Sequence, residues 1–198
     1  DVPEYIEYLK NTSFDSVFKW HKKFYQALEL SGKPQRWLLK DPSHIGHMPQ
    51  ILKEYPNAKF IHIHRDPIES VGSFCSLTKN VRLAFSKKIS THGIGETVID
   101  FWNHNLEKGM SDRKSLSNNQ IVDIQYSEFI KNPLDHIKNT YMQLNFDMTI
   151  ATENKIQNYL IKDKQISKPS HKYSLDEYGL NEKIIKSEFR DYMLNYDF

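Results

Sequence analysis

The sequence predicts an α/β fold, a parallel sheet flanked by helices with a helical C-terminal part. Short apolar runs at 37–39, 60–63 and 121–125 are separated by stretches of helical periodicity. Strands that alternate with helices imply parallel pairing through right-handed crossovers. Two of the runs also end alike, in a cation followed by Asp-Pro: Lys40-Asp41-Pro42 and Arg65-Asp66-Pro67. Asp is a good helix N-cap and Pro suits the first helical position, so each cation is expected at the carboxyl end of a strand, beside a helix N-terminus. Open α/β sheets bind their ligands at that edge. Full charges together with unpaired backbone N–H groups suit phosphate or sulfate there.

The elements follow in order. The chain opens in polar helical sequence, and Phe14, Phe18, His21, Phe24, Tyr25 and Leu28 recur at helical spacing. Ser31-Gly32-Lys33-Pro34 ends that helix with Gly and Pro in the expected order. Residues 37–39 read as a short buried strand, 45–53 as a helix, 60–63 as a second buried strand and 67–78 as another helix. Residues 91–95, with two glycines, read as flexible. Val98, Trp102, Leu106 and Met110 mark a longer helix, and 111–119 a polar loop. A third strand is expected at 121–125, then helices at 133–144 and 149–163. Residues 164–172, rich in Lys, Ser and Pro, read as irregular, and 181–195 as a terminal amphipathic helix.

Composition narrows the function classes. At 198 residues the chain has the length of one domain, and 1–198 is read as a single one. Hydrophobic residues at 38% supply a core, while a mean hydropathy of −0.66 means a very polar surface. With 27 basic against 25 acidic residues the net charge is +2, so nothing pulls the whole chain toward nucleic acid and any anion site is local. No apolar run approaches the roughly 20 residues of a membrane span. The single cysteine, Cys75, excludes an internal disulfide and fits a reducing, cytoplasmic setting.

The spacing of particular residues goes further. Leu39-Lys40-Asp41-Pro42-Ser43-His44 is followed by Tyr55-Pro56-Asn57-Ala58-Lys59-Phe60, by His64-Arg65-Asp66-Pro67, and by Ser73 eight residues after Arg65. This order resembles the sulfotransferases that use 3′-phosphoadenosine 5′-phosphosulfate, in particular the broad branch that includes the tyrosylprotein enzymes and many bacterial relatives. Ile124-Gln125-Tyr126-Ser127-Glu128 and the stretch from His171 to Leu180 agree with it, so the resemblance runs from about Phe18 to the last residue. Members of that family open with a strand, a phosphate loop of the type Arg/Lys-Ser-Gly-Thr-Thr and a helix, which hold the 5′-phosphosulfate. None of the seven glycines here stands in a Gly-Thr-Thr, and no Walker-type Gly-x-x-x-x-Gly-Lys-Ser/Thr occurs, which also disfavours a kinase relative. The expectation is therefore a P-loop-NTPase-like parallel sheet lacking the first strand and phosphate loop, the later part of a sulfotransferase domain. A sheet without that inner strand would leave unpaired backbone edges.

The resemblance implies a role for each matched residue. Arg65 would hold the 3′-phosphate, a planar guanidinium being able to grip two phosphate oxygens at once, and Ser73 would add a hydroxyl. A salt bridge for Arg65 and a backbone-bonded hydroxyl for Ser73 are the competing readings. Lys40 would place positive charge on the bridging oxygen as the sulfuryl group leaves; otherwise it is a solvated lysine. His44 would take the acceptor proton as neutral imidazole, although in relatives a carboxylate from earlier sequence often does so. Tyr126 matches a tyrosine that contacts nucleotide, and His171, Lys172 and Tyr173 lie in a polar segment of the kind that folds over it. His62 and His64 face one side of a strand, and His44 and His47 share a helix face. Without Cys, Asp or Glu at ligand spacing neither pair is expected to bind zinc.

The co-substrate implied is 3′-phosphoadenosine 5′-phosphosulfate with no metal, and the partner an acceptor hydroxyl or amine on a small molecule, glycan or peptide. The alternative is a non-catalytic nucleotide-binding or interaction module derived from a sulfotransferase.

Overall fold

The structure, a computed structural model, describes residues 3–30, 32, 36–164 and 173–198. In chain order come helices α1 (Pro3–Asn11) and α2 (Asp15–Glu29), a 3₁₀ segment (Pro42–His47), α3 (Met48–Glu54), strand β1 (Phe60–His64), α4 (Pro67–Phe85) and α5 (Thr91–Asp112). A 3₁₀ turn (Arg113–Ser115) leads to β2 (Ile121–Gln125), α6 (Tyr126–Phe129), α7 (Pro133–Gln143), α8 (Ile150–Lys164), a further 3₁₀ turn (Asp176–Tyr178), α9 (Glu182–Glu188) and α10 (Arg190–Asn195). The chain forms two compact units, Asp1–Ala58 with Thr97–Leu116, and Lys59–Glu96 with Ser117–Phe198.

In the first unit α2 packs against α3 and buries Phe18 near Met48 and Ile51, which are also buried. Lys53 bonds Asp15 at 3.0 Å, and Lys22 Nζ donates to the carbonyl of Glu54 at 2.8 Å. Both contacts tie α3 to α2 at the surface, where solvent screening leaves such bonds weak. Burial of the Phe18 ring contributes more, roughly 2–3 kcal/mol.

The second unit is organised by a parallel ladder of β1 with β2, in register from Phe60↔Ile121 to His64↔Gln125. Alternation along β2 sends Val122 and Ile124 inward, where they are buried with Leu144 against Phe129 and Phe146. Helix α4 buries Val71 and Cys75 and packs on α9, whose Ile185 is fully buried. Burial raises the Cys75 thiol to about 11, so it stays protonated and inert at neutral pH.

Both Asp-Pro steps start helical structure as expected. Asp41 accepts from the backbone N–H of Ser43 and Asp66 from that of Ile68, each at 2.8 Å, with Pro42 and Pro67 next in line. The parallel pairing and the bounds of the 121–125 strand are as predicted.

Other expectations are corrected. Residues 37–39 form no strand: the segment has no regular secondary structure and pairs with no strand among the described residues, with Leu38 at 88% exposure. Its apolar sequence carries β-propensity, yet a strand exists only where a neighbour accepts its ladder bonds. The sheet of the described residues accordingly has two strands, not three. In β1 only one face is covered, so Ile61 and Ile63 are about half exposed rather than buried.

Residues 91–95 are helical, not flexible. A Cβ on Gly95 would stand 2.2 Å from the carbonyl oxygen of Tyr178, so this glycine serves close backbone approach. Helix α4 runs on past residue 78 to Phe85, and α5 takes up the start of the expected 111–119 loop. The terminal helix is two, broken at Phe189, whose backbone (φ −101°, ψ 20°) leaves the helical region while its ring is buried.

His47 gives the first unit a pH dependence. Its ring lies 4.2 Å from that of Phe14, and burial, helped by nearby Lys108, pushes its pKa from 6.5 to about 4. Between those values the unfolded chain binds a proton that the folded chain does not, so stability falls as pH drops through the window. Burial likewise lowers His21 and His44, with the same sign. Denaturation midpoints at pH 6.5 and 5 should differ less in His47→Gln than in the wild type. An unchanged difference would exclude His47 as a source of the effect.

Candidate functional site

The ladder register builds the site. Since His64 pairs with Gln125, the next residue on each strand, Arg65 and Tyr126, emerge side by side at the carboxyl end of the sheet. The Arg65 guanidinium carbon lies 4.9 Å from the Tyr126 ring centroid, a cation–π arrangement. Its Nε donates to Glu69 Oε2 at 3.0 Å, and the side chain remains 43% exposed. The salt bridge that competed with the phosphate role is thus present. Its strength decides little: an exposed pair of this spacing contributes about 0.3–0.5 kcal/mol, and exposed cation–π contacts about 0.5–1. Charge-assisted, bidentate bonds to a phosphate are stronger than either.

Tyr173 also reaches this end of α4. Its hydroxyl donates to the backbone carbonyl of Glu69 at 2.9 Å, and its ring lies where a side chain on residue 72 would be, 2.3 Å from a Cβ placed on Gly72. Gly72 therefore makes the space in which Tyr173 docks. Ser73 is half-buried on α4, four residues after Glu69 and so on the same helical face. Arg65 and Tyr173 both engage Glu69 in the first turn of α4, where Asp66 caps one backbone N–H, and Tyr126 meets this group through the Arg65 guanidinium. His171 and Lys172 lie outside the described residues.

Lys40 and His44 belong to the first unit. Lys40 is exposed in the irregular segment before Asp41, at no strand end. His44 lies on the 3₁₀ segment, half-buried, with its ring 6.0 Å from that of Phe18 and 6.4 Å from that of His21. Burial lowers its pKa although the Asp41 carboxylate opposes this, so the ring is neutral at ordinary pH. Burial works against ionised Asp41, but the bonds from Ser43 and the nearby charges prevail and hold it below the usual range. As expected, His44 and His47 share a face, both packing on Phe18.

Sequence reasoning missed three participants. Glu69, the partner of Arg65, was legible as an i,i+4 pair. Gly72 carried no local signal, because its neighbour Tyr173 is distant in sequence. Asp123, which bonds His64 Nε2 at 2.7 Å, becomes visible only with the register, being the partner of His62 across the ladder.

Comparison with known proteins identifies the family and the fold. A family model described as "Sulfotransferase family" matches residues 7–149. Among curated proteins, omega-hydroxy-beta-dihydromenaquinone-9 sulfotransferase Stf3 of Mycobacterium bovis is 23% identical over 147 residues, covering 72% of this chain and 38% of Stf3. Among solved structures, sulfotransferase STF9 from Mycobacterium avium superposes with a TM-score of 0.83 at 26% identity, over 98% of this chain and 50% of STF9. Sulfotransferase STF1 from Mycobacterium tuberculosis gives 0.82 at 26% identity, over 96% of this chain and 49% of STF1. The chain spans between about two fifths and one half of these relatives. With the family pattern matched over most of its length and the same fold throughout, this chain belongs to the sulfotransferase family.

Proposed function

We propose that this chain supplies the 3′-phosphate grip and part of the catalytic apparatus of a sulfotransferase that moves a sulfuryl group from 3′-phosphoadenosine 5′-phosphosulfate to an acceptor hydroxyl or amine. The observation that carries the reading is Arg65: a part-exposed guanidinium at the carboxyl end of β1, held by weak ties to Glu69 and Tyr126 at a capped helix start. A dianionic phosphate can displace the Glu69 carboxylate from such a group, and Ser73 on the same face of α4 would add a hydroxyl donor. Tyr126, against the Arg65 guanidinium, and Tyr173, bonded to the start of α4, are suited to contact the nucleotide, and with His171 and Lys172 they complete the proposed donor-binding set. In this reading residues 1–198 act as one catalytic domain.

In the reaction the acceptor oxygen or nitrogen attacks sulfur, the bond from sulfur to the phosphate oxygen breaks, and bisphosphorylated adenosine leaves. Sulfuryl transfer, like phosphoryl transfer, needs alignment and positive charge where the leaving oxygen becomes anionic. We assign that charge to Lys40 and the acceptor's proton to His44, whose lowered pKa keeps it neutral and able to accept. The chemistry assigned to these residues requires no metal. A hydroxyl is the favoured acceptor, because Stf3 is named for a hydroxylated dihydromenaquinone.

Calorimetry with 3′,5′-bisphosphoadenosine tests the phosphate grip. Arg65→Ala should weaken binding by roughly 10–100-fold, the loss of charge-assisted bonds worth about 1.5–3 kcal/mol, while the melting midpoint moves only a few degrees. Equal affinity of mutant and wild type would remove the assignment. For Lys40, assay of a form that turns over the donor should give kcat roughly 10²–10³-fold lower in Lys40→Ala, with nucleotide affinity nearly unchanged. Undiminished turnover would exclude Lys40 from the chemistry.

A further inference from the structure

One cluster of donors lies beside the proposed nucleotide grip and has no part in it. His62 and His64 project from the same face of β1, two residues apart, and Asp123 is the residue opposite His62 on β2. One ligand atom from each of the three falls within 4.8 Å of the others. We propose that His62, His64 and Asp123 form a site for a divalent transition-metal ion of the zinc class, clamping β1 to β2 immediately before Arg65.

The distances support it. Asp123 Oδ1 lies 2.7 Å from His64 Nε2 and 3.9 Å from His62 Nδ1. An ion bonded at about 2.0–2.1 Å to N and O ligands in tetrahedral geometry separates them by about 3.4 Å, so the first gap must open and the second close by about half an ångström or a little more, and the two imidazole nitrogens, within 4.8 Å of each other, must come to the same spacing. Rotation of the Asp123 carboxylate, on a side chain 41% exposed, can provide much of this. The set lies at the surface end of a buried anchor. His64 is fully buried, His62 half-buried, and Asp123 stands at the mouth.

The surroundings of His64 suit a ligand. Its second nitrogen, Nδ1, is 2.8 Å from the hydroxyl oxygen of Tyr192, and its ring stacks on Tyr196 with centroids 3.8 Å apart. Binding through Nε2 requires the ring proton on Nδ1, where Tyr192 Oη accepts it. This is the outer contact that fixes orientation and basicity in metal-bound histidines. Two imidazoles and one carboxylate, with a fourth position left to water, select zinc, cobalt or nickel over magnesium or calcium, which favour all-oxygen shells.

Metal binding at these residues is independent of the nucleotide reading, and its test reads metal binding alone. The 198-residue chain, stripped with EDTA, is titrated with CoCl₂ while the visible absorption of four-coordinate Co²⁺ is followed, then with ZnCl₂ as competitor and MgCl₂ as control. Saturation at one Co²⁺ per chain, displacement by Zn²⁺ and no effect of Mg²⁺ are expected. His64 is avoided because its buried ring is needed for folding. Asp123→Asn and His62→Gln, at less buried positions, should each weaken binding by tenfold or more while keeping the far-UV spectrum of the wild type. A lack of saturable one-to-one binding, or variants that bind as tightly as the wild type, would overturn the site.

Discussion

The register of the β1–β2 ladder is the constraint on which the second unit depends. Side chains alternate along a strand, so a slip of one residue would exchange every inward residue for an outward one. Here Val122 and Ile124 are buried with Leu144, which fixes the face of β2. The same register sets His64 against Gln125 and therefore Arg65 beside Tyr126. A few apolar contacts under the sheet thus decide which groups meet at its rim. The arrangement at this rim is a consequence of core packing rather than of any strong polar bond there.

That division suits a binding site. Arg65 is oriented by an exposed ion pair and a cation–π contact, each worth less than about 1 kcal/mol. Stronger partners would cost an incoming anion more to displace. The rigid parts lie behind it, where the fully buried His64 is bonded by Asp123 on one nitrogen and by Tyr192 on the other. The ring fixes the end of β1 from the residue immediately before Arg65. Tyr173, seated over Gly72, engages α4 from a segment about 100 residues further along the chain.

In the first unit the same logic acts through burial. Phe18 collects His44 and His47 around one aromatic ring, and loss of water keeps both imidazoles neutral at ordinary pH. For both histidines the result is a sensitivity of the folded state to acid. One environment thus gives two histidines similar electrostatics.

Local chemistry made much of this legible in the sequence. The Asp-Pro steps, the 121–125 strand, the long helices and the matched positions Lys40, His44, Arg65, Ser73 and Tyr126 are set by residue type and spacing, because caps, periodicity and motifs act over a few residues. Where the outcome depended on distant partners, sequence alone fell short. Residues 37–39 have strand composition but no neighbour in the ladder, Gly95 is called for by the carbonyl of Tyr178, and Gly72 by the ring of Tyr173. Asp123 joins His62 and His64 only through strand pairing. The sequence by itself determined helix starts, periodicity and the family motif, which act over a few residues; tertiary structure decided which strands pair and which side chains meet, because those depend on contacts between residues far apart in the chain.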